Sequence, residues 1–232
     1  MNFKLVALLF LLLPICCVHS LEVVRPTDDA FVITDLSNLF VTSTLKNSNF
    51  GRERELIVGY EINTTGLGEY LVYVAYLKFN LSHLQNVRKA NLSLFVKDII
   101  SEDLPILTLY FLNDADWSEK TITFSNAPPP TTALGSFLPR YGWVKLDITS
   151  LVKKYKAFTL VIVARKVGTN ECKVIFSSKE DLARSPRIEV ELESPQVPIL
   201  YVIIPLLAVA VALALWRVNL FKRRLSKKDH ED

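Results

Sequence analysis

Cysteine and histidine are nearly missing from this chain, and their scarcity removes several functions at once. Of three cysteines, Cys16 and Cys17 fall in an apolar leader, so Cys172 stands alone in the middle of the sequence. A disulfide framework and a thiolate metal site are both excluded by that count. Cys172 lies within an alternating pattern and is expected as a buried small hydrophobe. Among the three histidines, His83 alone lies between Leu21 and the second apolar block of the chain. It sits in a polar turn, Ser82-His83-Leu84-Gln85-Asn86, and a triad would need it beside a nucleophile and an orienting carboxylate. We read it as a surface residue, and a histidine-rich metal site is excluded. Helical periodicity is almost absent as well, and no internal repeat is visible.

Long apolar runs occur only near the ends. The first, Leu5 to Cys17, follows Lys4 and is too short to cross about 30 Å of hydrocarbon comfortably. It reads as the core of a signal peptide spanning residues 1–20, cut after Ser20. The second, Ile199 to Trp216, contains no charged residue; its length as a helix is roughly 27 Å, which suits a transmembrane segment. Tyr201 and Trp216 flank it at interfacial positions, and Pro205 is tolerable there as a kink. Arg217, Lys222, Arg223, Arg224, Lys227 and Lys228 follow, so residues 217–232 are expected as a basic cytoplasmic tail with the N-terminal domain outside. The expected localisation is the cell membrane, single-pass, with membrane lipid as one partner. Lys+Arg number 27 against 24 Asp+Glu over the whole chain. Lys4 and the tail account for that excess, leaving the middle close to neutral, so nucleic acid is not an implied partner.

Between these blocks, period-two alternation recurs. Glu69 to Leu81 places Leu71, Tyr73, Ala75, Leu77, Phe79 and Leu81 on one face. Ala90 to Lys97 places Ala90, Leu92, Leu94 and Val96 inside, with Asn91, Ser93, Phe95 and Lys97 outside. Gly142 to Thr149 gives Val144, Leu146 and Ile148 inside, and Pro186 to Leu192 gives Ile188, Val190 and Leu192. Further runs at 30–34, 39–43, 55–60, 105–112, 121–124, 157–164 and 172–177 bring the total to about eleven strands. One short helix is expected from Thr149 to Lys156, capped by Asp147 or Thr149. The fold class is all-β: an antiparallel β-sandwich over residues 21–193, a linker over 194–198, and one C-terminal transmembrane helix over 199–216.

The order of segments resembles the DNRLRE domain, a β-sandwich family of exported bacterial and archaeal proteins related to carbohydrate-binding modules. The resemblance covers about residues 28 to 192. It rests on Asp29-Ala30-Phe31, Asn49-Phe50-Gly51, Leu56-Ile57-Val58-Gly59, Ala75 to Leu81 and Ala90 to Leu94. Trp117-Ser118-Glu119 with Thr121 to Phe124, Gly142-Trp143 to Thr149, Phe176 to Glu180 and Ser185-Pro186 complete it. What it implies is a jelly-roll-like sandwich with an extracellular glycan-binding or structural role, and no catalysis.

Candidate ligand contacts follow from side-chain chemistry. Stacking on sugars needs flat rings beside planar polar groups. Tyr70, Tyr76 and Trp143 fall on outward registers of their strands, and Tyr141 precedes Trp143 in a loop. Asp114 and Asp116 are candidate oxygen ligands for Ca²⁺, with Glu119 close by; no other cofactor is implied. Around Trp117, a structural turn from Ser118 to Thr121 is the simpler expectation. N-glycosylation sequons stand at Asn63, Asn80 and Asn91.

The segment Glu193 to Pro198 can extend at most roughly 20 Å, which keeps the domain near the lipid surface. Two readings remain. The first is a structural or interaction module docking on envelope proteins or their glycans. The alternative is a carbohydrate-binding module that captures an external polysaccharide.

Overall fold

The computed structural model describes residues 20–35, 44–63, 69–101, 105–113, 116–165, 171–193 and 207–218. The chain divides into two units, Met1–Glu193 and Ser194–Asp232. In the second unit, residues 207–218 are helical. Among the described residues no helix is long and apolar enough to cross a membrane. The leader, the first part of the expected span and most of the basic tail lie outside the described residues.

The first unit is built from eleven strands: β1 (Leu21–Val24), β2 (Asp28–Asp35), β3 (Glu55–Asn63), β4 (Glu69–Asn80), β5 (Val87–Ser101), β6 (Ile106–Asn113), β7 (Thr132–Phe137), β8 (Gly142–Asp147), β9 (Ala157–Arg165), β10 (Cys172–Ser177) and β11 (Arg187–Leu192). One helix, α1 (Thr149–Lys154), and a 3-10 turn at Thr44–Asn47 accompany them. All pairings are antiparallel, and the main path runs β1-β11-β5-β10-β3-β4-β9-β6-β7, with β2 on β4 and β8 on β5.

Two long strands turn this path into layers. β4 pairs β2 along one edge; along the other it pairs β3 up to Tyr73 and β9 from Val74 onward. β5 behaves similarly, serving β11 from Val87 to Ser93, β10 from Val96 to Ser101, and β8 from Asn91 to Val96. Ala75, Leu77, Phe79, Leu109, Phe158 and Leu160 from β4, β6 and β9 share one apolar cluster with Leu56, Leu92, Leu94, Val174, Phe176 and Ile188 from β3, β5, β10 and β11. Strands remote in hydrogen-bonding order therefore face each other across a single core, and the sheet has curled into two layers. The inward residues are those the alternation assigns. Cys172 is free and buried.

The outer face of β2-β4-β9-β6 is also covered. Ala30, Val32, Val74, Tyr76, Leu112 and Val161 form a second cluster with Trp117 and Ile122 from the connection between β6 and β7. Trp117 donates its indole N–H to Thr159 Oγ1 at 2.8 Å, and Lys78 Nζ reaches the Trp117 carbonyl at 2.9 Å. Residues 121–124, expected as a strand, form turns instead. Asn126 accepts from the Thr123 N–H at 2.7 Å and donates to the Thr121 carbonyl at 3.0 Å, satisfying locally what a ladder would otherwise satisfy. β1 and β7 arise where no strand was expected, and the expected strand at 39–43 lies outside the described residues.

The short helix forms as expected, with Leu151 and Val152 buried, but Ile148 occupies its N-cap and supplies no side-chain cap. Asp147 accepts from the Thr149 N–H at 2.9 Å, and Thr149 Oγ1 accepts from the Ala90 N–H at 3.0 Å, so both polar side chains tie the helix to its strands.

Asn49 and Gly51 clamp the covering connection. Asn49 Nδ2 donates to the carbonyls of Glu119 and Ile122, both at 2.7 Å. A Cβ at Gly51 would lie 1.9 Å from the Glu119 carbonyl oxygen, a backbone atom with no freedom to yield. Gly51→Ala is therefore expected to destabilise the domain by about 2–3 kcal/mol, seen as a lower midpoint in thermal or urea unfolding.

Candidate functional site

The outer face of one layer is covered; the outer face of β8-β5-β11 carries exposed side chains. Its side chains follow from the same alternation: Trp143, Lys145 and Asp147 on β8, Asn91, Ser93 and Phe95 on β5, and Arg187 and Glu189 on β11. Phe95 lies directly opposite Trp143, and the rings meet edge to face with centroids 5.3 Å apart. Each ring carries a guanidinium. Arg187 sits 3.9 Å from the Trp143 centroid and Arg184 sits 4.7 Å from that of Phe95. Trp143 is 37 % exposed and Tyr141, beside it, 68 %. The Tyr141 hydroxyl lies 3.4 Å from Asp98 Oδ1, on the far part of β5.

Charge on this face is paired. Glu189 accepts from Lys145 Nζ at 2.5 Å and from Arg187 Nε at 2.9 Å. Burial pushes the Glu189 carboxyl up, but the hydrogen bonds from Lys145 and Arg187 outweigh it and hold the group below the ordinary carboxylate range. Beside the strip, between β7 and β8, a groove of about 310 Å³ opens over Leu109, Leu146 and Leu151, with Leu134, Lys145 and Asp147 among its walls.

Among the described residues, the carboxylates that converge are Asp29, Glu119 and Glu180. Of the expected pair, Asp114 lies outside the described residues, and Asp116 is exposed. Glu119, Asp29 and Glu180 bring oxygens within 4.8 Å of one another. Lys179 already serves them: its ammonium lies 2.8 Å from Glu119 and 3.5 Å from Glu180, and its backbone N–H donates to Asp29 at 2.7 Å. Asp29 is 1 % exposed, and burial pushes its carboxyl up to about 7 against the opposing Lys179 N–H.

Of the expected aromatic contacts, Tyr141 and Trp143 come together on the exposed strip. Tyr76 does not join them. Its outward register is as anticipated, but the β6–β7 connection closes over it, leaving it 3 % exposed with its hydroxyl donating to the Pro128 carbonyl at 3.0 Å. The Tyr70 side chain lies outside the described residues. His83 is exposed, with Nε2 2.8 Å from Glu22. Among the sequons, Asn80 is exposed and accepts from Ser82, its own sequon serine, at 2.7 Å. Asn91 is half-buried between Asp147 and Glu189, and the Asn63 side chain lies outside the described residues. Phe95, Arg184 and Arg187 were not anticipated as site residues. Phe95 shares the outward register with Ser93 and Asn91, which was the signal available for it.

The first unit is thus a two-layer antiparallel domain with paired aromatic rings and planar cations on one sheet face. The profile of carbohydrate-binding module family 96 matches residues 24–192, and the chain belongs to that family. A search of curated proteins finds no match to it. Membership favours the polysaccharide-capturing reading over the structural module placed first from sequence.

The buried Asp29 gives a pH signature. Its folded pKa, about 7, lies above the ordinary value of 3.8, so the folded state holds a proton that the unfolded state has released between those values. The contribution of this group to stability therefore falls as pH rises through that window and levels off above about 7. Comparing unfolding midpoints at pH 5 and pH 8, Asp29→Asn is expected to flatten the difference relative to wild type.

Proposed function

We propose that this protein captures polysaccharide on the exposed β8-β5-β11 face, with Trp143 and Tyr141 as stacking contacts and Arg184 as a polar neighbour. The observation that carries the reading is the pairing of Trp143 with Phe95 on an open sheet face in a member of a carbohydrate-binding family. Sugar rings present one apolar face and a rim of hydroxyls, which suits an indole flanked by charged hydrogen-bonding groups. On this reading the curled sheet is a jelly-roll-like sandwich that binds without transforming its ligand. The apolar run 199–216 would hold it at the cell surface beside lipid, with Asn63, Asn80 and Asn91 as glycan acceptors.

The test is a glycan array probed with the detergent-solubilised full chain. Trp143→Ala is expected to weaken binding to any retained glycan by about tenfold while leaving the unfolding midpoint close to wild type. Equal binding by the variant would move the site elsewhere, and an array silent for folded wild type would count against capture altogether.

Binding is expected to survive EDTA, because the Lys179 ammonium already pairs with Glu119 and Glu180 in the Asp29-Glu119-Glu180 group. A loss of binding on chelation, restored by Ca²⁺, would instead bring Ca²⁺ back as a ligand. Membrane residence is checked separately: the full chain should resist alkaline carbonate extraction, and a version ending at Glu193 should be released.

A further inference from the structure

Ser93 is fully buried at 0 % exposure although it lies on the outer face of β5. Its Oγ is alone among the buried side-chain nitrogen and oxygen atoms of the described residues in having no hydrogen-bond partner. Native domains rarely leave such a group unpaired, and each instance asks for a cause. What covers it is visible in the register. Ser93 has Lys145 as its direct neighbour on β8 and Arg187 as its direct neighbour on β11. Arg187 starts on β11 and ends 3.9 Å from the ring centre of Trp143 on β8, so its side chain passes over β5 above Ser93. Lys145 crosses in the opposite sense to reach Glu189. The cover is two long flexible side chains and one carboxylate, not backbone or core.

We propose that Ser93 and the covered face of Trp143 form a sugar subsite that Arg187 closes in the free protein and vacates when ligand arrives. The inference rests on the carbohydrate-binding reading and deepens it. Arg187 is held in place by a cation–π contact and one hydrogen bond to Glu189 at 2.9 Å. Partly exposed contacts of this kind are weak and are readily exchanged for others. A pyranose laid on Trp143 takes the guanidinium's place on the ring, and a hydroxyl on its rim meets Ser93 Oγ, which pairs for the first time. The displaced Arg187 keeps Glu189 as a partner, so no buried charge is stranded.

A purely structural role for Ser93 would leave ligand retention unchanged on its removal. If Ser93 is there only because a small side chain lets Arg187 and Lys145 cross, alanine would serve equally well and would remove an unpaired hydroxyl.

The experiment is affinity electrophoresis of the full-length protein through gels containing xylan, mannan, laminarin or pectin, with unfolding midpoints measured alongside. In a gel that retards wild type, Ser93→Ala is expected to weaken retention about fivefold while its midpoint stays level or rises. Arg187→Met, which keeps the apolar stem over the strand, is expected to tighten retention about fivefold and to increase hydroxyl-radical labelling of Trp143 read by mass spectrometry. Unchanged retention of Ser93→Ala overturns the subsite while leaving carbohydrate binding intact. Weaker retention of Arg187→Met does the same, since it would make the guanidinium a ligand contact and not a cover. If no gel retards the wild type or either variant, the carbohydrate reading fails for these polymers and the subsite fails with it.

Discussion

β4 is buried on both faces, and the arrangement of the rest follows from that constraint. Ala75, Leu77 and Phe79 point into the main core while Val74 and Tyr76 point the other way into the second cluster. A strand of this kind cannot stand at the surface of a simple sandwich. One side requires the opposite layer, which β5, β10 and β11 provide. The other requires a cover that is not a sheet, and the connection carrying Trp117 and Ile122 supplies it. Because apolar area removed from water is the dominant favourable term in folding, and Cys172 forms no disulfide, these two clusters carry the stability of the described domain.

The same constraint decides where a ligand can bind. A covered outer face on β2-β4-β9-β6 leaves its aromatics as packing, and Tyr76 is the example. Among the described residues no connection closes over the outer face of β8-β5-β11, so the rings there remain partly open and are dressed by arginine. The two faces carry similar chemistry in sequence, an outward tyrosine in one case and an outward tryptophan in the other. What separates them is one connection about forty residues downstream of Tyr76. Asn49, Gly51 and Asp29 hold that connection through its backbone and through Glu119.

Alternation made most of the core legible. From Glu69 to Leu81 and from Ala90 to Lys97 every inward residue was assignable, because a period of two leaves only two choices of face. β1 and β7 escaped for the converse reason: Leu21 and Val23 are exposed, and β7 is exposed along most of its length with Gly135 within it, so neither is patterned by a core. The Thr121-Ile122-Thr123-Phe124 run has the composition of a strand, and Asn126 diverts it by bonding its backbone. At the site, Trp143 was readable from its register. The stacking of Arg187 on it was not, since that contact joins residues more than forty positions apart across β5, which lies between their two strands. The convergence of Asp29 with Glu119 and Glu180 was hidden in the same way, since it joins residues far apart in the chain, and of the three only Glu119 was singled out from sequence.

β11 places the site and the exit of the domain at opposite ends of one strand. Arg187, over the stacking ring, begins it, and Leu192 ends it. Just beyond, Glu193 donates its N–H to the Asn86 carbonyl at 2.8 Å. A pull on a bound polymer, resisted by whatever holds the chain beyond Glu193, runs along the axis of β11. The hydrogen bonds to β1 and β5 lie across that axis, so the load is shared among them at once instead of parting them one by one. Under the proposed capture, β11 would be loaded in shear, the geometry in which its pairings with β1 and β5 resist together.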